Sequence, residues 1–315
     1  MKRKIRFGIQ TPQQDTTWEN LRSAWKLIDE LGYDTTWLFD HFFPILADPA
    51  GPCFEGWIAL TALAAETTMT QVGFLVTGNT YRNPAILAKM GATFDHTSGG
   101  RLTMGLGAGW FELEHRAFDI PFYTTAQRIN RCDEACEILK RLWTEDTVDF
   151  DGQFYSLKGA RCDPKPLQQP RPPLMIGGSG EKLMLRVIAR HADQWNTFGP
   201  PELFRHKIGV LKQHCEEIGR NFDEIEVSWA GTLLVTESVQ EKQEVVARMA
   251  QAFGTTPEAV EPGFLVGPAS EIRDRIHRYI EAGVTHFIGI ANPPFSHVSI
   301  RQFAEEVIPE FRREP

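Results

Sequence analysis

At residues 173–182 the chain reads Pro-Leu-Met-Ile-Gly-Gly-Ser-Gly-Glu-Lys, and the fold prediction starts from this stretch. The apolar run 174–176 follows two prolines and predicts a short buried strand. Glycines and a serine then lead into a predicted helix over residues 182–192. A strand that passes through glycines into a helix N-terminus presents unpaired backbone N–H groups and the positive end of the helix dipole, which together favour an anion. An ordinary glycine-rich turn without a ligand is the alternative that this stretch leaves open.

The composition is that of a globular protein without nucleic-acid partners. Of the 315 residues, 42% are hydrophobic and 23% are charged, and the formal net charge of −8 comes with no basic stripe. No run approaches the roughly 18 apolar residues of a membrane helix, and the N-terminus lacks the apolar core of a signal peptide. We therefore expect a cytoplasmic protein without a membrane segment.

The five cysteines are scattered along the chain, which predicts reduced thiols. Cys132 and Cys136 are four residues apart on a predicted helix, where a metal pair is conceivable. No cluster of histidines or carboxylates accompanies them, so we interpret the pair as core packing and expect no metal site.

Eight predicted strands alternate with helices along the chain. The strands cover residues 5–9, 35–39, 72–76, 102–106, 174–176, 193–196, 225–229 and 286–290. This order predicts an α/β fold, a parallel (β/α)8 TIM barrel that forms one domain over residues 1–315. A doubly wound open sheet is the alternative. The extra residues form a β-hairpin over 148–157, before the fifth strand, and insertions after the fourth and seventh strands.

The C-terminal ends of these strands carry a notable number of polar residues and glycines, and a barrel has its functional site at that rim. The rim residues are Gln10, Asp40, His41, Thr77, Gly78, Asn79, Gly107, Ala108, Gly109, Trp110, Gly177, Gly178, Ser179, Asn196, Thr197 and Asn292. Each one alone could serve its own βα turn. Together they predict a site for a polar, planar, phosphorylated ligand.

The glycines of the fourth strand, Gly105, Gly107 and Gly109, do not make a dinucleotide fingerprint, because Trp110 stands where G-x-G-x-x-G needs its last glycine. We interpret them as making room for a flat ring system, with plain packing as the alternative. The P-loop, G-x-S-x-G and H-E-x-x-H patterns are all missing, which counts against a serine hydrolase or a zinc protease.

His41 is the best single candidate for proton transfer, since it follows a strand end and its side-chain type titrates near neutral pH. A purely structural histidine is the alternative. Glu112, Glu114 and His115 lie in a loop that is predicted to be irregular over residues 111–125. We expect these three side chains to form a solvated loop face rather than part of a lid.

The sequence resembles the luciferase-like monooxygenase superfamily, and within it the F420-dependent oxidoreductases. The resemblance rests on the order of three motifs: Phe-Asp-Gly-Gln-Phe-Tyr-Ser-Leu at 150–157, Pro-Lys-Pro-Leu-Gln at 164–168, and Pro-Pro-Leu-Met-Ile-Gly-Gly-Ser-Gly at 172–180. The Asp40-His41 pair, the segment Gly107-Ala108-Gly109-Trp110 and the segment Val266-Gly267-Pro268 are similar to other signatures of the superfamily.

This resemblance implies a homodimeric barrel that holds coenzyme F420, an 8-hydroxy-5-deazaflavin, or alternatively FMN, at the C-terminal rim. The implied cofactor-binding residues are Asp40, Thr77, Gly78, Asn79, Gly107, Gly109, Gly177, Gly178, Ser179 and Gly180, with the last four at the phosphate. His41 is implied near the reactive face of the ring. Relatives often carry an acidic residue directly after the glycines of the fourth strand. Trp110 stands there in this chain, so Glu112 is the nearest replacement for a general acid.

The function implied by the resemblance is hydride transfer between F420 and a small organic substrate. The alternative is an FMNH2-dependent two-component monooxygenase, which needs a flavin reductase partner and O2. An alternative of another class is a non-catalytic flavin-binding protein. The residues that select the substrate are expected in the insertions 111–125 and 254–267. Aromatic residues there and next to them would make that pocket apolar or simply anchor the loops: Trp110, Phe111, Phe122, Tyr123 and Phe264.

Overall fold

The computed structural model describes residues 4–45 and 48–312. The strands are β1 (Arg6–Gln10), β2 (Thr35–Leu38), β3 (Gln71–Phe74), β4 (Thr77–Gly78), β5 (Leu102–Gly107), β6 (Val148–Asp151), β7 (Ser156–Ala160), β8 (Leu174–Gly177), β9 (Gln194–Thr197), β10 (Glu226–Val235), β11 (Leu265–Gly267) and β12 (His286–Ile290). The helices are α1 (Trp18–Glu30), α2 (Gly56–Ala65), α3 (Pro84–Thr97), α4 (Glu112–Ala117), α5 (Thr125–Thr144), α6 (Met184–His191), α7 (Pro201–Glu217), α8 (Val239–Ala252), α9 (Pro257–Val260), α10 (Ala269–Glu281), α11 (His297–Gln302) and α12 (Ile308–Arg312). A π-helical turn, Phe303–Val307, joins α11 to α12.

Eight of the strands form a closed parallel barrel. Its order is β1, β2, β3, β5, β8, β9, β10 and β12, and β12 pairs with β1 to close the ring. Because every barrel strand has two neighbours, the doubly wound open sheet is excluded. The predicted (β/α)8 barrel is confirmed.

Helices α1 and α5 begin where local sequence signals place them. The Thr17 side chain caps α1 by accepting from the Asn20 N–H, and Gly32, with φ of +72°, follows its C-terminus. At α5 the side chains of Thr124 and Gln127 form a reciprocal capping box. The side-chain caps satisfy N–H groups that helix ends leave unpaired, so α1 and α5 each start at a defined residue.

The core has two layers, inside and outside the barrel wall. Trp37, Leu75, Met175, Ala230 and Ile288 form a buried cluster that fills the barrel interior. A larger cluster lies between the strands and the surrounding helices. The interior cluster closes the barrel beneath its C-terminal rim, so a ligand at that rim rests on packed side chains.

The insertions depart from the predictions in their details. The hairpin of β6 and β7 is confirmed and extends to Ala160. The passage 111–125 was expected to be irregular, but it contains α4. Strand β10 was expected to end at Trp229, but it continues to Val235 because its last residues pair with β11, a strand that the sequence did not predict.

Within the described ranges, none of the helices combines the length and the apolar character needed to cross a membrane.

Candidate active site

A cavity of about 1380 Å³ opens at the C-terminal ends of the barrel strands. Most of the predicted rim residues line it: Gln10, His41, Thr77, Gly78, Gly107, Ala108, Gly109, Trp110, Gly177, Gly178, Ser179, Asn196, Thr197 and Asn292. Residues from strand ends that are far apart in the sequence therefore meet at one place. Asp40 and Asn79 are buried but do not line the cavity.

The turn after β8 forms one side of this cavity. The Gly178 N–H donates to the Asn196 carbonyl at 3.1 Å, and the Trp195 indole N–H donates to the Gly178 carbonyl at 2.7 Å. These two bonds fix the turn against β9. Gly178 has φ of +138°, a conformation that side chains with a Cβ rarely adopt.

The backbone beyond Gly178 keeps free donors. No described protein group accepts a hydrogen bond from the N–H of Ser179, Gly180, Glu181 or Lys182. Helix α6 begins at Met184, two residues later than expected, and residues 181–183 form a turn. A Cβ added at Gly180 would meet only the Cβ of Met184, at 3.7 Å, so the space beside this backbone is open. Free N–H groups on an open turn can receive an anion.

The Val76 side chain fills the space beside several of the strand-end glycines. The peptide bond between Leu75 and Val76 is cis, and the Val76 side chain projects toward the neighbouring strands. A Cβ at Gly107 would lie 2.8 Å from Val76, and one at Gly177 would lie 3.1 Å from it. A Cβ at Gly105 would lie 1.8 Å from the Phe74 carbonyl oxygen. The expectation that these glycines leave room for a ring is therefore wrong for Gly105 and Gly107, whose missing side chains make room for protein atoms.

Asp40 belongs to a buried ion pair behind the cavity. Both of its oxygens accept from the Arg82 guanidinium, at 2.5 and 3.2 Å, and the Thr77 hydroxyl donates to Oδ2. Burial raises the pKa of the Asp40 carboxyl, and the charge of Arg82 opposes that rise. The carboxylate has no direct access to a ligand. Its contacts instead hold Thr77, which lines the cavity, and the chain next to His41.

His41 faces the cavity and is bound from behind by Glu114. The His41 Nδ1 lies 3.0 Å from Glu114 Oε2, and the Tyr81 hydroxyl donates to the same oxygen. The backbone N–H groups of Phe42 and Phe43 donate to Oε1, at 2.6 and 3.1 Å. Burial by itself would raise the pKa of Glu114, but the hydrogen bonds from His41, Tyr81 and Phe43 bring it below its ordinary value.

Residues 4–262 match the family model for luciferase-like monooxygenases. The chain belongs to this family. An F420-dependent glucose-6-phosphate dehydrogenase of Microbacterium testaceum is 26% identical over 335 aligned positions, which cover 98% of each chain. An FMNH2-dependent dimethylsulfone monooxygenase of Pseudomonas putida is 37% identical over 113 residues, which cover 36% of this chain and 31% of that one.

The fold of this luciferase-like chain is also that of a solved F420-dependent secondary alcohol dehydrogenase in complex with an F420-acetone adduct. The two superpose with a TM-score of 0.88 over 99% of this chain and 100% of the other, at 21% sequence identity. At that identity the likeness concerns the barrel architecture.

Glu112 does not lie where the family resemblance suggested. Its carboxylate is half-exposed and pairs with Arg116 on the same helix, at 2.6 Å, and it is not part of the cavity wall. Glu114 and His115, which were expected to be solvated, are fully buried. Helix α4 turns residues 114 and 115 inward and residue 112 outward, so the carboxylate beside His41 comes from Glu114.

The outer wall of the cavity is largely apolar. Trp110 and Phe198 stand at its mouth with 58% and 57% of their surface exposed. Helix α8 and the loop after β12 add further apolar side chains: Val245, Met249, Ala252, Phe253, Pro293, Pro294 and Phe295. The expectation that insertions 111–125 and 254–267 line the pocket is wrong, since none of their residues lies in this wall.

Within residues 4–45 and 48–312, no group of three or more histidine, cysteine, aspartate or glutamate residues is placed to hold a metal ion. Cys132 and Cys136 are buried free thiols on α5, within the core between helices and strands.

Proposed function

We propose that this chain is an oxidoreductase that uses coenzyme F420 to move a hydride to or from a small organic substrate. The observation that carries the proposal is that backbone hydrogen-bond donors and a proton-transfer candidate border the same cavity. The turn whose backbone N–H groups at 179–182 are free reaches the cavity at Ser179, and His41, which is bonded to Glu114, lines another part of the wall. The relative from Microbacterium, which aligns over nearly the whole chain and is named for F420, supports the choice of cofactor.

The residues present fit such a cofactor. The N–H groups after Gly178 would hold its phosphate, and Thr77, Gly78 and Val76 would lie beneath its ring at the cavity floor. Gly177, Gly178, Ser179 and Gly180 therefore stay in the proposed cofactor-binding set. Asp40 would contribute indirectly, because it holds the Thr77 side chain in place. Gly107 would also contribute indirectly, because its missing side chain leaves room for Val76. When bound, a deazaflavin supplies two-electron hydride chemistry, whereas reduced FMN also reacts with O2.

The protein side of the reaction is the transfer of a proton. When a hydride leaves the carbon of an alcohol or amine, the heteroatom on that carbon must lose a proton, and reduction of a carbonyl, imine or enone must in turn take up one proton. The His41 Nε2 makes no hydrogen bond to any described residue, and the ring lines the cavity. We propose that Nε2 accepts or donates this proton. Most of the cavity wall is apolar, which disfavours water beside a bound substrate.

Two alternatives remain for the same cavity. An FMNH2-dependent monooxygenase is supported by the Pseudomonas relative, which aligns over about a third of this chain. A non-catalytic flavin-binding protein would not need a buried carboxylate bonded to a cavity histidine. The homodimer, the reductase partner and the cytoplasmic location stay predictions.

Equilibrium binding of oxidised F420 and of FMN, followed side by side by fluorescence quenching, tests the choice of cofactor. We expect F420 to bind at least about tenfold more tightly than FMN, a difference of about 1.4 kcal/mol in binding free energy. The opposite order would favour the two-component monooxygenase. Binding of neither would contradict the cofactor proposal altogether.

Gly180→Val tests the phosphate position. The Cβ of the new side chain would meet only the Cβ of Met184, at 3.7 Å, so we expect the thermal midpoint to stay within about 2 °C of the native value. The branched side chain covers the free N–H groups, and we expect cofactor affinity to fall at least about tenfold. Gly209→Val on the exposed face of α7 is the matched control. Equal cofactor affinity in both variants would rule out the turn as the phosphate site.

A further inference from the structure

Glu114 is enclosed by donors on every side. It lies 73 residues from His41 in the sequence, has no exposed surface, and takes four hydrogen bonds on its two oxygens. Two of the donors are the backbone N–H groups of Phe42 and Phe43, which cannot rotate away. Together with the Tyr81 hydroxyl, these N–H groups donate to both oxygens, which favours the carboxylate form, and the pKa of Glu114 lies below its ordinary value. The environment is therefore built for a carboxylate that only accepts.

We propose that Glu114 is a positioning residue that keeps the proton of neutral His41 on Nδ1, so that Nε2 faces the cavity as a free acceptor. Since the carboxylate can only accept, the ring nitrogen at 3.0 Å must be the donor. The proposal deepens the proposed function, because it rests on His41 as the proton-transfer group. It names the group that prepares His41 for that role.

The other neighbours of His41 fix its ring without competing for this bond. The rings of Phe39, Trp110 and Phe111 all meet the imidazole edge to face, with centroids 5.2 to 5.8 Å away. The carboxylate of Asp40, the preceding residue, is committed to Arg82 and Thr77. The Cys53 thiol lies near the His41 carbonyl oxygen, and burial raises the pKa of this thiol to about 12, so it stays neutral. Tyr81 stays a hydroxyl donor, because burial and the Glu114 carboxylate both raise its pKa.

Glu114→Gln should reverse the tautomer of His41. A glutamine has one amide oxygen, and the two fixed N–H groups of Phe42 and Phe43 require that oxygen at the position of Oε1. The amide NH2 then points at His41 Nδ1, which must become the acceptor. The proton moves to Nε2, so the ring nitrogen on the cavity side changes from a hydrogen-bond acceptor to a donor.

The test is 15N NMR of the histidine ring nitrogens in the protein without cofactor, at a pH where the ring is neutral. We expect Nδ1–H in the native chain and in Tyr81→Phe, and Nε2–H in Glu114→Gln. A native ring protonated on Nε2 would overturn the proposal. So would a Glu114→Gln ring with the native tautomer. If Glu114→Gln does not fold, the native and Tyr81→Phe spectra decide by themselves.

A kinetic measurement separates positioning from mere support of the fold. In Glu114→Gln we expect kcat to fall by about 10²-fold or more, because the wrong tautomer faces the substrate. The KM and the cofactor affinity should stay within about threefold, since neither needs the Nε2 proton state. If the cofactor affinity fell and the KM rose together with the fall in kcat, Glu114 would have a structural role. The NMR result does not depend on F420, so a wrong cofactor and a wrong tautomer are told apart.

Discussion

His41→Asn is expected to lower kcat by about 10² to 10⁴-fold while the chain still binds its cofactor. General acid–base catalysis by one positioned side chain contributes a factor of this size. Asparagine keeps a polar group of similar reach but cannot exchange a proton near neutral pH. The free N–H groups at 179–182 lie on another strand end, so cofactor affinity should change by less than about threefold.

The measurement is steady-state kinetics with any alcohol, enone or imine that the native chain turns over, together with cofactor titration of both variants. His297→Asn is the control, because His297 is exposed on α11 and lies outside the cavity wall. A His41→Asn chain with native kcat would remove His41 from the proposed chemistry. Loss of cofactor affinity in this variant would instead assign the ring to cofactor binding.

The barrel and its rim could be predicted from the sequence because both depend on local signals. Each buried strand is a short apolar run between turn residues, and each C-terminal end is marked by glycine or polar residues. Hydrophobic runs do not reveal pairing beyond the barrel. The end of β10 shows this limit in part: Ala230 to Thr232 continue the barrel pairing with β12, whereas Leu233 to Val235 are strand only because β11 lies beside them.

The acid beside His41 could not be predicted, since it depends on where a six-residue helix packs. Glu112 and Glu114 have the same side chain and lie two residues apart. In α4 that spacing turns one toward Arg116 and solvent and the other toward the backbone after β2. No sequence pattern links Glu114 to residues 41–43, because the contact spans more than 70 positions. The packing of α4 alone makes the distinction.

The reason for the strand-end glycines was also beyond the sequence. A G-x-G-x-G pattern at the end of a strand is compatible with a ligand against the backbone or with a neighbouring side chain in the same space. Between β3 and β4 the chain places Val76 in that space, over Gly107 and Gly177. Because Val76 itself lines the cavity, these glycines shape the floor of the site without touching a ligand through their own missing side chains.

Arg82→Met is expected to lower the free energy of unfolding by about 3 to 5 kcal/mol, the largest stability effect in the site. The Asp40 carboxylate has no exposed surface, and among the described residues removal of Arg82 leaves it the Thr77 hydroxyl as its one side-chain partner. Arg22→Met is the matched control, because Arg22 pairs with Glu66 at the surface. A surface pair contributes about 1 kcal/mol or less. Urea unfolding of both variants measures the difference.

The effect of Arg82→Met should depend on pH in a defined direction. Burial already raises the pKa of Asp40 above its ordinary value, and loss of the guanidinium charge raises it further. The folded variant then holds a proton that the unfolded chain releases near pH 3.9, so its stability falls as pH rises. We expect the destabilisation to be smaller at pH 5 than at pH 8, whereas Arg22→Met should show no such trend. A pH-independent loss would mean that Arg82 stabilises the fold through its packing, and Asp40→Asn combined with Arg82→Met would then recover nothing.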